Sequence, residues 1–428
     1  MSEDCLALNV FTPALHDEKK RPVMFYIHGG AYSGGSGSSP LYDGVRLCNR
    51  GDVVVVSINH RLNAFGYLYL APFNKAELAD SGNVGQLDII LALHWVKENI
   101  AAFGGDPGSV MVFGQSGGGA KIATLMATPA AKGLFHRAVT MSGQQVTASG
   151  PLNATLRSRA ILDALKISPD NIAAIQSIPF EKLVEAFSTR DPVLPFGGVY
   201  FGPVLDERSL MRHPFYPDAP EQSAAIPMII GNTHDETRAF LGNDPANYAI
   251  TWDQLPGKLI PNMRVDIKPE YVIEEYRKIY PDLSASDLFF RITTASRSWR
   301  GAIIEAEERA KSGHPAYAYQ LDWATPKEGG KFGAPHASDI QLVFDNINKP
   351  GATAIGPQAQ QMADIMSETF IAFARTGNPN NRSLPAWKPY SMDKRETMVF
   401  NIPPGLELDP RGAERKIFAK VPFIQAGS

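Results

Sequence analysis

Cysteine is almost missing from this chain: Cys5 and Cys48 are the two present in 428 residues. Two cysteines exclude a disulfide framework and a cysteine-built metal centre, and leave two free thiols in a reducing compartment as the simplest expectation. Long apolar runs are missing too. Val53–Val54–Val55–Val56 suits a buried strand, far short of the roughly 20 apolar residues that a membrane-crossing helix needs. Charge of one sign is not in excess either. The 41 Lys+Arg against 44 Asp+Glu leave a formal net charge of −3, which gives no electrostatic case for nucleic acid or an anionic membrane as partner. Ser2–Glu3–Asp4–Cys5 carries neither the basic nor the apolar region of a signal peptide, so a cytoplasmic location is expected. Internal repeats and low-complexity linkers are also lacking, which favours a single domain over 1–428 with insertions.

Hydrophobic residues make up 44% and charged residues 20%, enough to bury a large core. Strand and helix signals alternate through the first third of the chain. Leu6–Thr12, Val23–His28 and Asp52–Asn59 read as strands, the last apolar throughout and so covered on both faces. Residues 86–103 read as a long helix. Ile89, Leu93, Val96 and Ile100 form one stripe and Leu87, Leu91 and Trp95 an adjacent one, a face wide enough to pack on a sheet. Gly104–Gly105 and Asp106–Pro107 close it. A strand over 110–113, a helix to about residue 128 and a strand over 137–141 follow. This alternation predicts a mostly parallel sheet with helices on both faces. Later, 155–190 and 270–312 read as helical, Ile226–Ile230 and Ala316–Trp323 as strands, and 357–376 as an amphipathic helix stopped by Gly377 and Pro379. The expected layout is one α/β sheet whose helical insertions cover its C-terminal edge.

Between the strand at 110–113 and the next helix stands Gly114–Gln115–Ser116–Gly117–Gly118, a G-x-S-x-G in the strand–turn–helix setting of a nucleophile elbow. A serine hydroxyl attacks poorly until it is exposed and a base takes its proton. The turn supplies exposure, the glycines permit the tight backbone, and the helix start aims its free N–H groups at the same place. Two other readings compete: a serine-capped turn and a phosphate loop. The phosphate loop needs G-x-x-x-x-G-K-[ST]; Gly114 and Gly119 keep that spacing, but Ala120 stands at the lysine position and Ile122 follows Lys121.

The elbow needs an acid, a base and donors for an oxyanion, in the order serine, acid, histidine. Asp235 and Glu236 follow the strand that ends at Gly231, and spacing does not separate them; such a pair also serves as a helix cap. His336 follows the late strand at 316–323 after a Gly/Pro-rich loop, although loop histidines are often only solvated. His60, His94, His136, His213 and His314 fall early in the chain, in or beside regular elements, or on surface-like stretches. His28–Gly29–Gly30–Ala31 has the form of a loop that offers backbone N–H groups to an oxyanion, and Gly117 offers another.

Further stretches widen the pattern: S-E-D-C-L-A-L-N-V at 2–10, P-V-M-F-Y-I-H-G-G-A-Y at 22–32, N-H-R-L-N-A-F-G-Y-L at 59–68 and G-N-V-G-Q-L-D at 82–88. They continue with A-L-H-W-V-K-E-N-I-A-A-F-G-G-D-P at 92–107, H-A-S-D-I-Q-L-V-F at 336–344 and F-A-R-T-G-N-P-N at 373–380. With the elbow and the 235–236 pair, the chain resembles the type-B carboxylesterase family, the cholinesterase-like branch of the α/β-hydrolases, over nearly its whole length. That resemblance implies an α/β-hydrolase fold without metal or cofactor. It implies Ser116 as nucleophile, Glu236 as acid, His336 as base, and Gly30, Ala31 and Gly117 as oxyanion donors; Ser142 resembles a serine beside the triad. There are departures. Gln115 replaces a common Glu, which weakens any preference for cations, Gly117 replaces Ala, Ala31 replaces a third glycine, and Asp339 replaces Glu. Family members also carry a segment ahead of S-E-D-C that this sequence lacks. Cys5 resembles a cysteine that relatives pair with one in that segment. A choline-binding aromatic would come from there as well, so choline esters are not expected substrates.

The function expected is therefore a serine carboxylesterase that cleaves small esters, short- or medium-chain acyl or aryl, through an acyl-enzyme on Ser116. The alternatives are an inactive binding module on the same fold and a crippled, truncated fragment; the retained serine, acid and histidine favour the enzyme. Phe196, Tyr200, Phe201, Phe240, Tyr248 and Trp252 are candidates to line a pocket, with core packing as the competing role.

Overall fold

Arg21–Ile27 (β2) and Val54–Ile58 (β3) are buried at every residue, as parallel strands covered on both faces must be. Their side chains divide by the two-residue period of a strand. Met24, Tyr26 and Val55 point to one layer and pack with Met362, Met366, Phe370 and Phe373 of the Ala359–Thr376 helix. Val23, Phe25, Ile27, Val54 and Val56 point to the other and pack with Ile89, Leu93, Val96 and Ile100 of the Val84–Asn99 helix and its continuation. Each such side chain, fully buried, contributes roughly 1.5–3 kcal/mol. The computed structural model describes residues 3–73, 76–194 and 197–428.

Seven further strands complete the sheet: β1 (Leu8–Phe11), β4 (Gly105–Gln115), β5 (Arg137–Met141), β6 (Met228–Thr233), β7 (Ala316–Leu321), β8 (Glu396–Phe400) and β9 (Gly405–Leu408). Their order is β1-β3-β2-β4-β5-β6-β7-β8-β9. Neighbours from β3 through β8 run parallel, and β1 and β9 are antiparallel edges. The register sets Ile27 beside Gly114, Gln115 beside Met141, Met141 beside Gly231 and Thr233 beside Leu321. The loops after β2, β4, β5, β6 and β7 therefore leave the same end of the sheet, where open α/β folds bind ligands. None of the described helices is long and apolar enough to cross a membrane.

Several expectations need correction. Of the second stripe of the long helix, Leu87 and Trp95 pack against the sheet's core while Leu91 is 61% exposed. The helical stretch at 270–312 divides into Pro269–Ile279, Ala285–Thr294 and Arg300–Lys311, the last two joined by a π-helical turn at Ala295–Trp299. The 155–190 stretch divides into a helix at Pro151–Ala164, a 3₁₀ run at Pro169–Ser177 and a short helix at Phe180–Glu185. Beyond residue 390, β8, β9 and a Gly412–Phe418 helix stand where no regular element was expected.

Candidate active site

Ser116 is the single residue between the end of β4 and the Gly117–Ala127 helix. It holds φ 58° and ψ −125°, a backbone conformation that costs a non-glycine residue energy and persists only where its surroundings enforce it. Its N–H donates to Met141 O at 2.8 Å and its carbonyl accepts from Ala120 N at 3.0 Å, so the turn is tied to β5 and to the helix it opens. Glycine at 117 has a local cause. A Cβ built there would lie 2.1 Å from the Ala31 carbonyl oxygen, so the oxyanion-type loop can approach only a residue without a side chain.

That loop bends through left-handed geometry, with φ 89° at Gly30 and 52° at Ala31. A Cβ built on Gly29 would stand 3.2 Å from Ser116 Cβ, which shows how close the loop runs to the serine. No described acceptor takes the N–H of Gly30 or Ala31. The N–H of Gly117, first in its helix, is free by position. Three donors thus border one side chain.

Glu236 leaves β6 fully buried. One carboxylate oxygen accepts from Thr233 N at 2.9 Å and Asn232 Nδ2 at 3.2 Å; the other hydrogen-bonds His336 Nδ1. Burial pushes Glu236 up, but the His336 ring, the nearby Ser142 hydroxyl and the Thr233 N–H prevail, so the group lies below the usual carboxylate range. Asp235 faces elsewhere: it accepts from Ala334 N at 3.0 Å and pairs with His234 and Arg238, pinning the loop that leads to His336. Asp339, fully buried, accepts from Tyr319 Oη at 2.8 Å; burial raises it to about 6, with Glu236 adding to the rise.

A carboxylate only accepts, so Nδ1 of His336 carries the proton and Nε2 presents a lone pair. In this structure that lone pair meets Gln115 Nε2 at 3.2 Å, and no hydrogen bond joins it to Ser116 Oγ among the described residues. Gln115, which occupies that nitrogen here, directly precedes Ser116 in the chain.

Lys121 was noted in the sequence only as out of place for a phosphate loop. Here it is fully buried, donating to Ala31 O at 2.9 Å and His28 O at 3.2 Å beneath the loop whose free N–H groups border Ser116. Burial lowers it to about 7. A lysine inside a helix otherwise made of small and apolar residues was the available signal. His28 and His60 stack behind it at 4.7 Å, both neutralised by burial. Of the pocket candidates, Phe240 lies tilted against His336, ring centres 4.8 Å apart, and is 53% exposed, and Tyr200 lies 6.5 Å from Tyr32. Phe201 packs on Phe187, Tyr248 on Phe290, and Trp252 lies under Arg277, while Phe196 falls outside the described residues.

Residues 1–416 match the Carboxylesterase family. The chain belongs to the carboxylesterase family. It is 35% identical to the para-nitrobenzyl esterase of Bacillus subtilis over 97% of this chain and 82% of that protein. It is 31% identical to the phenmedipham hydrolase of Pseudarthrobacter oxydans, over 93% and 78%. The crystal structure of a Geobacillus stearothermophilus carboxylesterase at pH 6.2 superposes with a TM-score of 0.85 at 38% identity, covering 97% of this chain and 86% of that one. The fold is that of the α/β-hydrolases, and the protein is a carboxylic ester hydrolase acting on small esters.

Proposed function

We propose that this carboxylesterase works by nucleophilic catalysis through Ser116, with His336 as base and Glu236 as its orienting acid, on short- to medium-chain or aryl esters. The observation that carries the reading is the hydrogen bond between Glu236 and His336 Nδ1, which leaves the lone pair of Nε2 to the side-chain amide of Gln115, the residue before Ser116. The ring turns from the Gln115 amide to the Ser116 hydroxyl when substrate arrives; such bonds are often loose before binding and tighten in the complex. As Oγ bonds to the ester carbonyl carbon, its proton passes to Nε2, and the carbonyl π-electrons move onto the oxygen. The N–H groups of Gly30, Ala31 and Gly117 receive that oxyanion, each worth about 2.7–4 kcal/mol by analogy with another serine hydrolase. On collapse the alkoxide departs with the proton from Nε2, leaving acyl-Ser116. Water then attacks in the same way, Nε2 taking its proton and returning it to Oγ as the acid leaves.

Replacing Ser116→Ala is expected to lower kcat on p-nitrophenyl butyrate by about 10⁶-fold, and Glu236→Gln by about 10⁴-fold, judged from other triads. Substantial hydrolysis by Ser116→Ala with unchanged melting would remove the reading.

A further inference from the structure

Arginines around the insertion helices are mostly paired with acids. Arg238 meets Asp235 and Asp287, Arg291 and Arg411 meet Glu414, and Arg300 meets Glu307. Arg297 and Arg264 differ. Neither side chain has an ion pair or hydrogen bond among the described residues, and each is half-buried. Arg297 sits in the π-helical turn at Ala295–Trp299 with φ −114° and ψ −109°, off helical geometry, and such turns often mark functional positions.

Its direction is set by two ring contacts. The guanidinium lies 5.7 Å from the centre of the Phe240 ring, and that ring lies 4.8 Å from His336. Phe240 is 53% exposed, and the arginine stands one aromatic ring from the imidazole. Arg264 acts on both Arg297 and Tyr200, whose ring neighbours Tyr32. Burial and the charge of Arg264 lower Arg297 to about 10, against an opposing pull from Glu236, so it stays cationic at neutral pH. Glu236 pulls on Arg297 but forms no ion pair with it, its oxygens being taken by His336, Thr233 and Asn232, and Asp235 is taken by Arg238. Gln115 adds no charge. A half-desolvated cation held in no ion pair among the described residues, one ring from His336, gains from an anion on the ligand.

We propose that Arg297 receives a carboxylate carried on the alcohol half of the ester, so that the enzyme favours esters of hydroxy acids and carboxyphenols over neutral counterparts. The alcohol half follows from the reading that His336 protonates the departing oxygen, on which this proposal rests: Phe240, which lies against His336 and under Arg297, flanks that part of the substrate.

The test compares 4-acetoxybenzoate with 4-acetoxybenzamide, which has the same shape and no charge, each rate divided by its hydroxide-catalysed rate. The wild-type kcat/KM is expected to be at least tenfold higher for the carboxylate at low salt, with the margin shrinking in 0.5 M NaCl as screening predicts. Arg297→Met is expected to reduce that preference tenfold or more, chiefly through KM, while Arg297→Lys, which keeps the charge and controls for folding, retains most of it. Equal or better cleavage of the amide by wild type, or a preference that Arg297→Met leaves intact, would overturn the proposal. Cleavage of neither ester would instead bring down the hydrolytic reading beneath it, and the proposal with it.

Discussion

Lys121 shows how one side chain can set the geometry of groups it never shares with substrate. Its ammonium holds the carbonyls of Ala31 and His28, and each of those peptides precedes or follows an N–H assigned to the oxyanion. Lys121→Met keeps much of the volume and removes both bonds. We expect kcat to fall about 10–100-fold with KM little changed, because a small displacement of oxyanion donors weakens the transition state selectively; steady-state kinetics beside a thermal melt checks it. At this scale the legible features of the site were those with a local signature. Ser116 announced itself through the glycines that its turn requires, and the Gly30–Ala31 loop through the strand before it. Asp235 and Glu236 were not separable by spacing, because which carboxylate turns inward depends on Ala334 and His336, about a hundred positions away. Lys121 was visible as an oddity, but its partners come from another loop.

Elements meet at a second buried carboxylate. Glu414, on the C-terminal Gly412–Phe418 helix, accepts from Tyr276 and Tyr280 at 2.7 Å each and from Arg291 and Arg411, tying that helix to the two insertion helices. Burial alone would raise its pKa, but the arginines bring it down to about 2. A depressed carboxyl stabilises the fold above its unfolded value of 4.5 and loses that contribution as pH falls from 4.5 toward 2. Glu414→Gln should cost about 3–5 kcal/mol at neutral pH. In denaturant titrations the gap between wild type and variant should narrow only below about pH 4.5, and a gap that stays constant to pH 3 would contradict the assignment. The same helices show the limit of periodicity. The apolar pattern of 270–312 is continuous, yet Pro281 and the left-over residue absorbed at Ala295–Trp299 divide it. Glu396–Phe400 holds no long apolar run, so β8 is defined by its pairing with β7 rather than by its own residues. Leu91 belonged to a helical stripe whose other members, Leu87 and Trp95, pack on the core while it stays exposed.

Across the whole molecule, the sheet order brings the ends of β2, β4, β6 and β7 together, and that arrangement was legible because each strand carries its own turn signal. What the sequence could not supply was the contact between Gln115 and His336, or the unpaired Arg297, since both arise from loops packed against each other. The chemistry assigned to this assembly stands or falls on one hydroxyl. Reaction with a p-nitrophenyl alkylphosphonate, followed by intact mass and peptide mapping, measures it most directly. The account predicts one adduct per chain, on Ser116, formed in step with the loss of esterase activity. An adduct on another residue, or full activity in protein whose Ser116 is labelled, would contradict it.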